Sequence, residues 1–150
     1  MRRSLGLMCA AMALPLAACS AGGSTDGGDD LTQAEARAQV EDVVRDVLAA
    51  AAPDVEDGLS DTTEVPCGGL GGNEWNKVKY SLESIDGIAV SDHEASLEAA
   101  QALIDERGWE LTPRDEALSF STGTVSGTVF VRASGVLVSV ESECIDNDES

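Results

Sequence analysis

Residues 117–144 read ALSFSTGTVSGTVFVRASGVLVSVESEC, and this stretch decides the fold class. Apolar and hydroxyl-bearing residues alternate through it, the period of strands with one face in a core and the other in water. Two turn signals interrupt the alternation. A two-residue tip at Ser134-Gly135 sets Ala133 opposite Val136, Val131 opposite Val138 and Val129 opposite Val140. All of these share one face of the ribbon, and a slip of one residue would turn that face outward. A tip at Thr122-Gly123 likewise pairs Phe120 with Val125 and Leu118 with Gly127. The same ribbon carries an outward face of Ser119, Ser121, Thr124, Ser126, Thr128, Arg132, Ser139 and Glu141, with Phe130 and Leu137 diagonally near one another among them.

Upstream, the pattern changes period. Thr32-Gln33-Ala34-Glu35 fits a capping box, and Val40, Val43, Val44, Val47, Leu48 and Ala51 follow at helical spacing up to Pro53. Ser91-Asp92-His93-Glu94 offers a second box, followed by Leu97, Ala100, Leu103 and Ile104, with Gly108 placed to end the helix. Between the helices Val78, Tyr80 and Leu82 alternate with Lys77, Lys79, Ser81 and Glu83 as a half-buried strand. Trp109 to Leu111 adds a short strand or extends the next one across a bend at Pro113. The expected fold is α+β, in the order α-β-α-β-β-β. Two helices pack on one face of a mainly antiparallel sheet of about four strands. The place of the first strand, beside the second or the fourth, stays open at this level.

The start of the chain has a separate logic. Arg2 and Arg3 precede an apolar run from Leu5 to Ala18, too short to span a bilayer and interrupted by Pro15. The run ends in Leu16-Ala17-Ala18-Cys19, which resembles the lipobox of bacterial lipoproteins. That resemblance implies diacylglyceryl modification of the Cys19 thiol, removal of residues 1–18 as a signal peptide, and a place outside the cytoplasm, anchored to the cell membrane. Residues 19–30 then form a lipidated cysteine and a glycine, serine and aspartate tether with a reach of roughly 18 Å. Residues 31–145 make a single domain and 146–150 an acidic tail. The layout of long first helix, "PCGG" segment, helix ending "RGW", paired strands and terminal "SEC" is similar to small actinobacterial lipoproteins, a type that implies no assigned activity.

Cleavage after Ala18 leaves seven of the nine basic side chains against 28 acidic ones, a net charge of −21. Such a surface repels phosphate and argues against nucleic-acid binding. Cys67 and Cys144 are an even pair in an oxidising compartment and are expected to form a structural disulfide.

Catalytic and metal signals are weak. His93 is the only histidine, at a helix start where its acidic neighbours suit the dipole, so no catalytic set is expected. Gly68-Gly69-Leu70-Gly71-Gly72 leads to Trp75 and a strand, unlike a phosphate-binding loop. The acid clusters Asp54-Val55-Glu56-Asp57-Gly58 and Asp146-Asn147-Asp148-Glu149 lack calcium-loop spacing. No cofactor and no metal is expected. The reading that follows is a small non-enzymatic domain that binds or supports another envelope protein through Phe130, Leu137 and Trp75. The competing reading is a small-ligand or weakly metal-binding lipoprotein.

Overall fold

Helix α1 (Gln33–Ala51) starts where its first turn can satisfy its own donors. The Thr32 hydroxyl accepts from the Glu35 N–H at 3.3 Å, and the Glu35 carboxylate accepts from the Thr32 N–H at 3.0 Å. Ala36, Val40, Val43, Val44, Val47, Leu48 and Ala51 form its buried stripe. It stops at Ala51 because Pro53 cannot donate to the next carbonyl. This computed structural model describes residues 31–56, 58–68, 76–114 and 117–147.

Seven strands and a second helix follow: β1 (Thr63–Pro66), β2 (Lys77–Glu83), α2 (His93–Glu106), β3 (Glu110–Arg114), β4 (Ala117–Ser121), β5 (Val125–Arg132), β6 (Gly135–Ser142) and β7 (Ile145–Asp146). Their ladder runs β1-β2-β6-β5-β4-β3, with β7 also on β2, and every pairing is antiparallel. The α+β class, the two helices and the antiparallel sheet agree with the sequence reading. The strand count and order do not: the described residues form seven strands rather than about four, in the order α-β-β-α-β-β-β-β-β. The strand at Val78–Leu82 sits beside the last hairpin strand, β6. Asp146, assigned from sequence to the acidic tail, pairs with Lys77.

The additional strands are short or irregular. β1 has four residues ending in Pro66, and β7 has two. β3 carries Pro113 inside a strand, which is tolerated because β3 is an edge and one side of it needs no donor.

The two hairpins keep the expected faces but sit two residues away in register. Val129 pairs with Val138 and Val131 with Val136, around a tip at Ala133-Ser134. Gly135 is not at the tip because it is needed beside it. At φ +128° its backbone lies against the Ile88 carbonyl, where a Cβ would overlap. In the other hairpin Phe120 pairs with Gly127 and Leu118 with Val129. The Phe120 ring occupies the space that a side chain at 127 would fill. Because the shift is two residues and not one, the side chains within β4, β5 and β6 stay on their expected sides. Thr124, expected on the outward face, instead lies in the turn before β5, and its hydroxyl donates to Gln39 of α1 at 3.0 Å.

α2 is capped by Asp92, whose carboxylate accepts from the Ala95 N–H at 3.0 Å, and not by Ser91 as the sequence suggested. Its buried row is Ser96, Ala100 and Ile104, with Leu97 and Leu103 half-buried beside it. At its end Gly108, at φ +67°, donates to Asp105 and Trp109 donates to Ile104, the paired bonds of a Schellman stop. α1 lies over β2 and β6, and α2 lies over β3, β4 and β5. Beneath them Leu82, Val129, Val136, Val138 and Val140 are fully buried. Each such side chain contributes roughly 1.5–3 kcal/mol.

Where the β2–β6 ladder breaks, buried serines repair it. The Ser84 hydroxyl accepts from the Val138 N–H at 2.9 Å, and the Ser142 hydroxyl accepts from the Tyr80 N–H at 2.9 Å. Just beyond Ser142, Cys144 joins Cys67 in a disulfide with Cα atoms 6.1 Å apart. The bond ties the end of β1 to the β6–β7 junction across β2. Replacing both cysteines by serine should lower the unfolding free energy by about 4–5 kcal/mol in the chain-entropy account. Urea titration reads this directly; an unchanged midpoint would remove the bridge from the stability argument.

A second tie is charged. The Thr62 hydroxyl donates to Glu41 at 2.9 Å and Arg37 pairs with the same carboxylate at 3.1 Å, so Glu41 is held below its ordinary value of 4.5. The Thr32 hydroxyl, then its backbone N–H, lowers Glu35 in the same sense. A carboxylate lowered on folding stabilises the native state above the ordinary value and loses that contribution as pH falls through its folded value. Glu41→Gln should therefore flatten the loss of stability as pH falls below the ordinary value of 4.5. A variant with the full wild-type slope would contradict this.

Candidate functional site

With both helices on one side, the opposite side of the sheet has no covering element among the described residues. Its outward residues follow from the register: Lys79, Ser81 and Glu83 on β2, Leu137, Ser139 and Glu141 on β6, Ser126, Thr128, Phe130 and Arg132 on β5, and Ala117, Ser119 and Ser121 on β4. Phe130 and Leu137 are directly opposite one another and not diagonal as expected. Ala117 stands on the other side of Phe130 and is buried there, so these three make one apolar row. The Arg132 guanidinium lies over the Phe130 ring at 4.9 Å, a contact of about 0.5–1 kcal/mol at an exposed site. Phe130 and Leu137 are consequently half-buried.

The row has an unanticipated neighbour. The Ser84 N–H donates to Val138 O at 2.7 Å, so the chain is still beside β6 one residue before Ile85. Ile85 is the one large hydrophobic residue left exposed among the described residues, at 50%. In sequence it lies two residues beyond Glu83, where the alternation of the strand ends.

Much of the rest of the open face is polar, with Val65 of β1 also at an outward position, and several of its groups are paired. Lys79 meets Glu141 at 2.6 Å, the Ser139 hydroxyl donates to Glu83 at 3.3 Å, and the Ser119 and Thr128 hydroxyls are 3.4 Å apart. Its charges balance. Lys77, Lys79, Arg114 and Arg132 stand at outward register positions with Glu83, Glu110, Glu141 and Asp146. The other three cations of the chain beyond Cys19, Arg37, Arg45 and Arg107, lie on or at the end of the helices and pair with Glu41, Asp42 and Asp46.

Of the residues singled out in sequence, Phe130 and Leu137 come together on this face, and Cys67 and Cys144 are bonded elsewhere. Cys19, Trp75 and Asp57 lie outside the described residues. Trp109 stacks on Phe120 with ring centroids 5.4 Å apart and so belongs to the rim of the core. His93 is exposed in the first turn of α2. Among the described residues no cluster of three or more His, Cys, Asp or Glu is disposed to hold a metal ion. No described helix is long and apolar enough to cross a membrane.

A second feature was missed entirely by the sequence reading. The C-terminus of α1 and the N-terminus of α2 meet at one end of the helical layer and leave a cavity of about 500 Å³ between them. Ala50–Val55 form one wall and Ala89–Asp92 with Ala95, Ser96 and Ala99 the other. The only signal in sequence was the run of small residues on both helices, which also reads as plain helix-forming composition.

Matched against protein-family models, curated proteins and solved structures, the chain finds no counterpart.

Proposed function

We propose that this chain is a membrane-anchored extracytoplasmic lipoprotein whose domain acts without catalysis, by docking the open face of its sheet on another envelope protein. The anchor rests on the basic head, apolar run and Leu16-Ala17-Ala18-Cys19 of the N-terminus. The docking face rests on one observation above all. On a chain of net charge −21 beyond residue 18, the described strand residues facing away from the helices carry as many cations as acids, together with the row Ala117, Phe130, Leu137, and Ile85 is exposed just after β2. Elsewhere a partner meets like charge repeated over the surface, whereas here it meets apolar area bordered by both signs. The paired hydroxyls and ion pairs on the same face already satisfy one another, so a partner gains mainly from apolar contact near Phe130 and Leu137.

The expected partner surface is flat, with a small apolar centre and a rim of mixed charge. A photo-crosslinking residue at Leu137, compared with one at exposed Glu98 on α2, tests the face in the native envelope. The expected result is a discrete protein adduct from position 137 and none from 98, lost when Ile85→Asp is added. Equal labelling from both positions, or none from 137, would defeat the docking face. The anchor is read separately by mass. Mature protein should begin at Cys19 with acyl mass, and Cys19→Ala should give an unlipidated chain; wild-type mass without lipid contradicts the lipoprotein assignment.

A further inference from the structure

Two cations on the open face are left without an acid. Beyond Cys19 the chain sets seven basic side chains against 28 acidic ones, so a carboxylate partner is easily found. Arg37, Arg45, Lys79 and Arg107 each meet one at 3.1 Å or less, and Lys77 is engaged as well. Arg114 and Arg132 differ. Among the described residues their side chains make no ion pair and no hydrogen bond, and both are exposed.

Both stand at the apolar row. Arg114 pairs across the ladder with Ala117, Ala117 with Phe130 and Phe130 with Leu137, so Arg114 closes the row on β3. Arg132 lies two residues beyond Phe130 on β5, its guanidinium 4.9 Å from the ring centroid. Two strands and two residues separate the arginines, about 12 Å between Cα atoms. The outward strand residues next to Phe130 and Ala117 supply no carboxylate. Glu83, Glu110, Glu141 and Asp146 lie in rows nearer the disulfide, and exposed Asp86 beyond Ile85 pairs with neither arginine.

Stacking prepares Arg132 for a particular kind of group. The ring covers one face of the planar guanidinium and leaves its N–H groups in the plane, where they form a fork. A carboxylate that approaches in that plane accepts two parallel charge-assisted bonds without disturbing the ring. We infer, on the basis of the docking face proposed above, that the partner protein lays on this row an apolar side chain flanked by Asp or Glu. One carboxylate meets Arg132 and a second meets Arg114. A phosphate surface, of lipid or nucleic acid, brings many anions against the whole acidic domain and is repelled. A carboxylate pair on a protein meets only the charges within a Debye length, about 8 Å, and beside this row those include both guanidinium groups.

A photo-crosslinking residue at position 137 of the full lipidated chain, in its native envelope, reads docking, and the arginines read its chemistry. Arg132→Gln should lower the adduct about fivefold to tenfold and Arg114→Gln about threefold. Arg132→Lys keeps the charge but not the stacked fork, and should recover only part of the loss. Raising salt from about 50 to about 500 mM should reduce the adduct of the unsubstituted pair and leave that of the double Gln variant unchanged. The partner peptide attached at 137, sequenced by mass spectrometry, should carry Asp or Glu beside the attachment. Equal thermal midpoints show that the variants, at exposed positions, are folded. An undiminished adduct in the double variant, or a partner peptide with Lys or Arg in place of the acids, overturns the carboxylate pair while the docking face stands. No adduct at 137 with both arginines present removes the docking face, and the carboxylate pair falls with it.

Discussion

The structure depends on the contact between α1 and the inward valines of β6. Val136, Val138 and Val140 are wholly buried beneath α1, whose Val40, Val44 and Val47 are wholly buried in turn. β-branched side chains suit the sheet, where their stiffness fits the pleat, and cost a helix little when the stripe is buried. With few aromatic residues to supply volume, this domain packs its centre from many small contacts between valines, and it needs both helices on the same side to complete them. The open face is the consequence.

That one-sidedness shapes everything polar as well. The two helices carry eight acids, and the three cations on or beside them are each held by an acid on α1. The sheet side gathers the remaining cations and balances them. Ser84 and Ser142 lend hydroxyls where β2 and β6 part, the disulfide holds the β6–β7 junction beyond Ser142, and Gly135 lets Ile88 approach the hairpin. The cavity between the helix ends arises from the same economy of volume. Alanines at the end of α1 and the start of α2 allow close helices along most of their length and leave space where the chain turns away.

Much of this was legible in the sequence, for physical reasons. A period of two fixes which side of the sheet each residue of β4, β5 and β6 faces, and the period of 3.6 fixes the stripe of α1. Those assignments survive a register shift of two residues, since parity is unchanged. The register itself was not legible, because Val129 finds an equally apolar partner in Val138 or Val140. What selects between them is three-dimensional: the Phe120 ring over Gly127 and the Ile88 carbonyl against Gly135. β1 and β7 are too short to show a period, whereas β3 was one of two readings offered for Trp109 to Leu111, and its separate pairing with β4 is the one found. At the candidate face, Phe130 and Leu137 were found from alternation alone, whereas Ile85 required the path of the chain after β2. The cavity between the helices required knowing which of their ends meet.

The central claim is that the open sheet face is covered when the protein is in place. Hydroxyl-radical footprinting of the chain in its native envelope, compared with the purified chain, measures this at Phe130, Leu137 and Ile85 without altering any of them. The account predicts strong protection of these three residues in the envelope, with Leu97 and Leu103 on the helical side labelled equally in both samples. Equal labelling of Phe130, Leu137 and Ile85 in the two samples would contradict it.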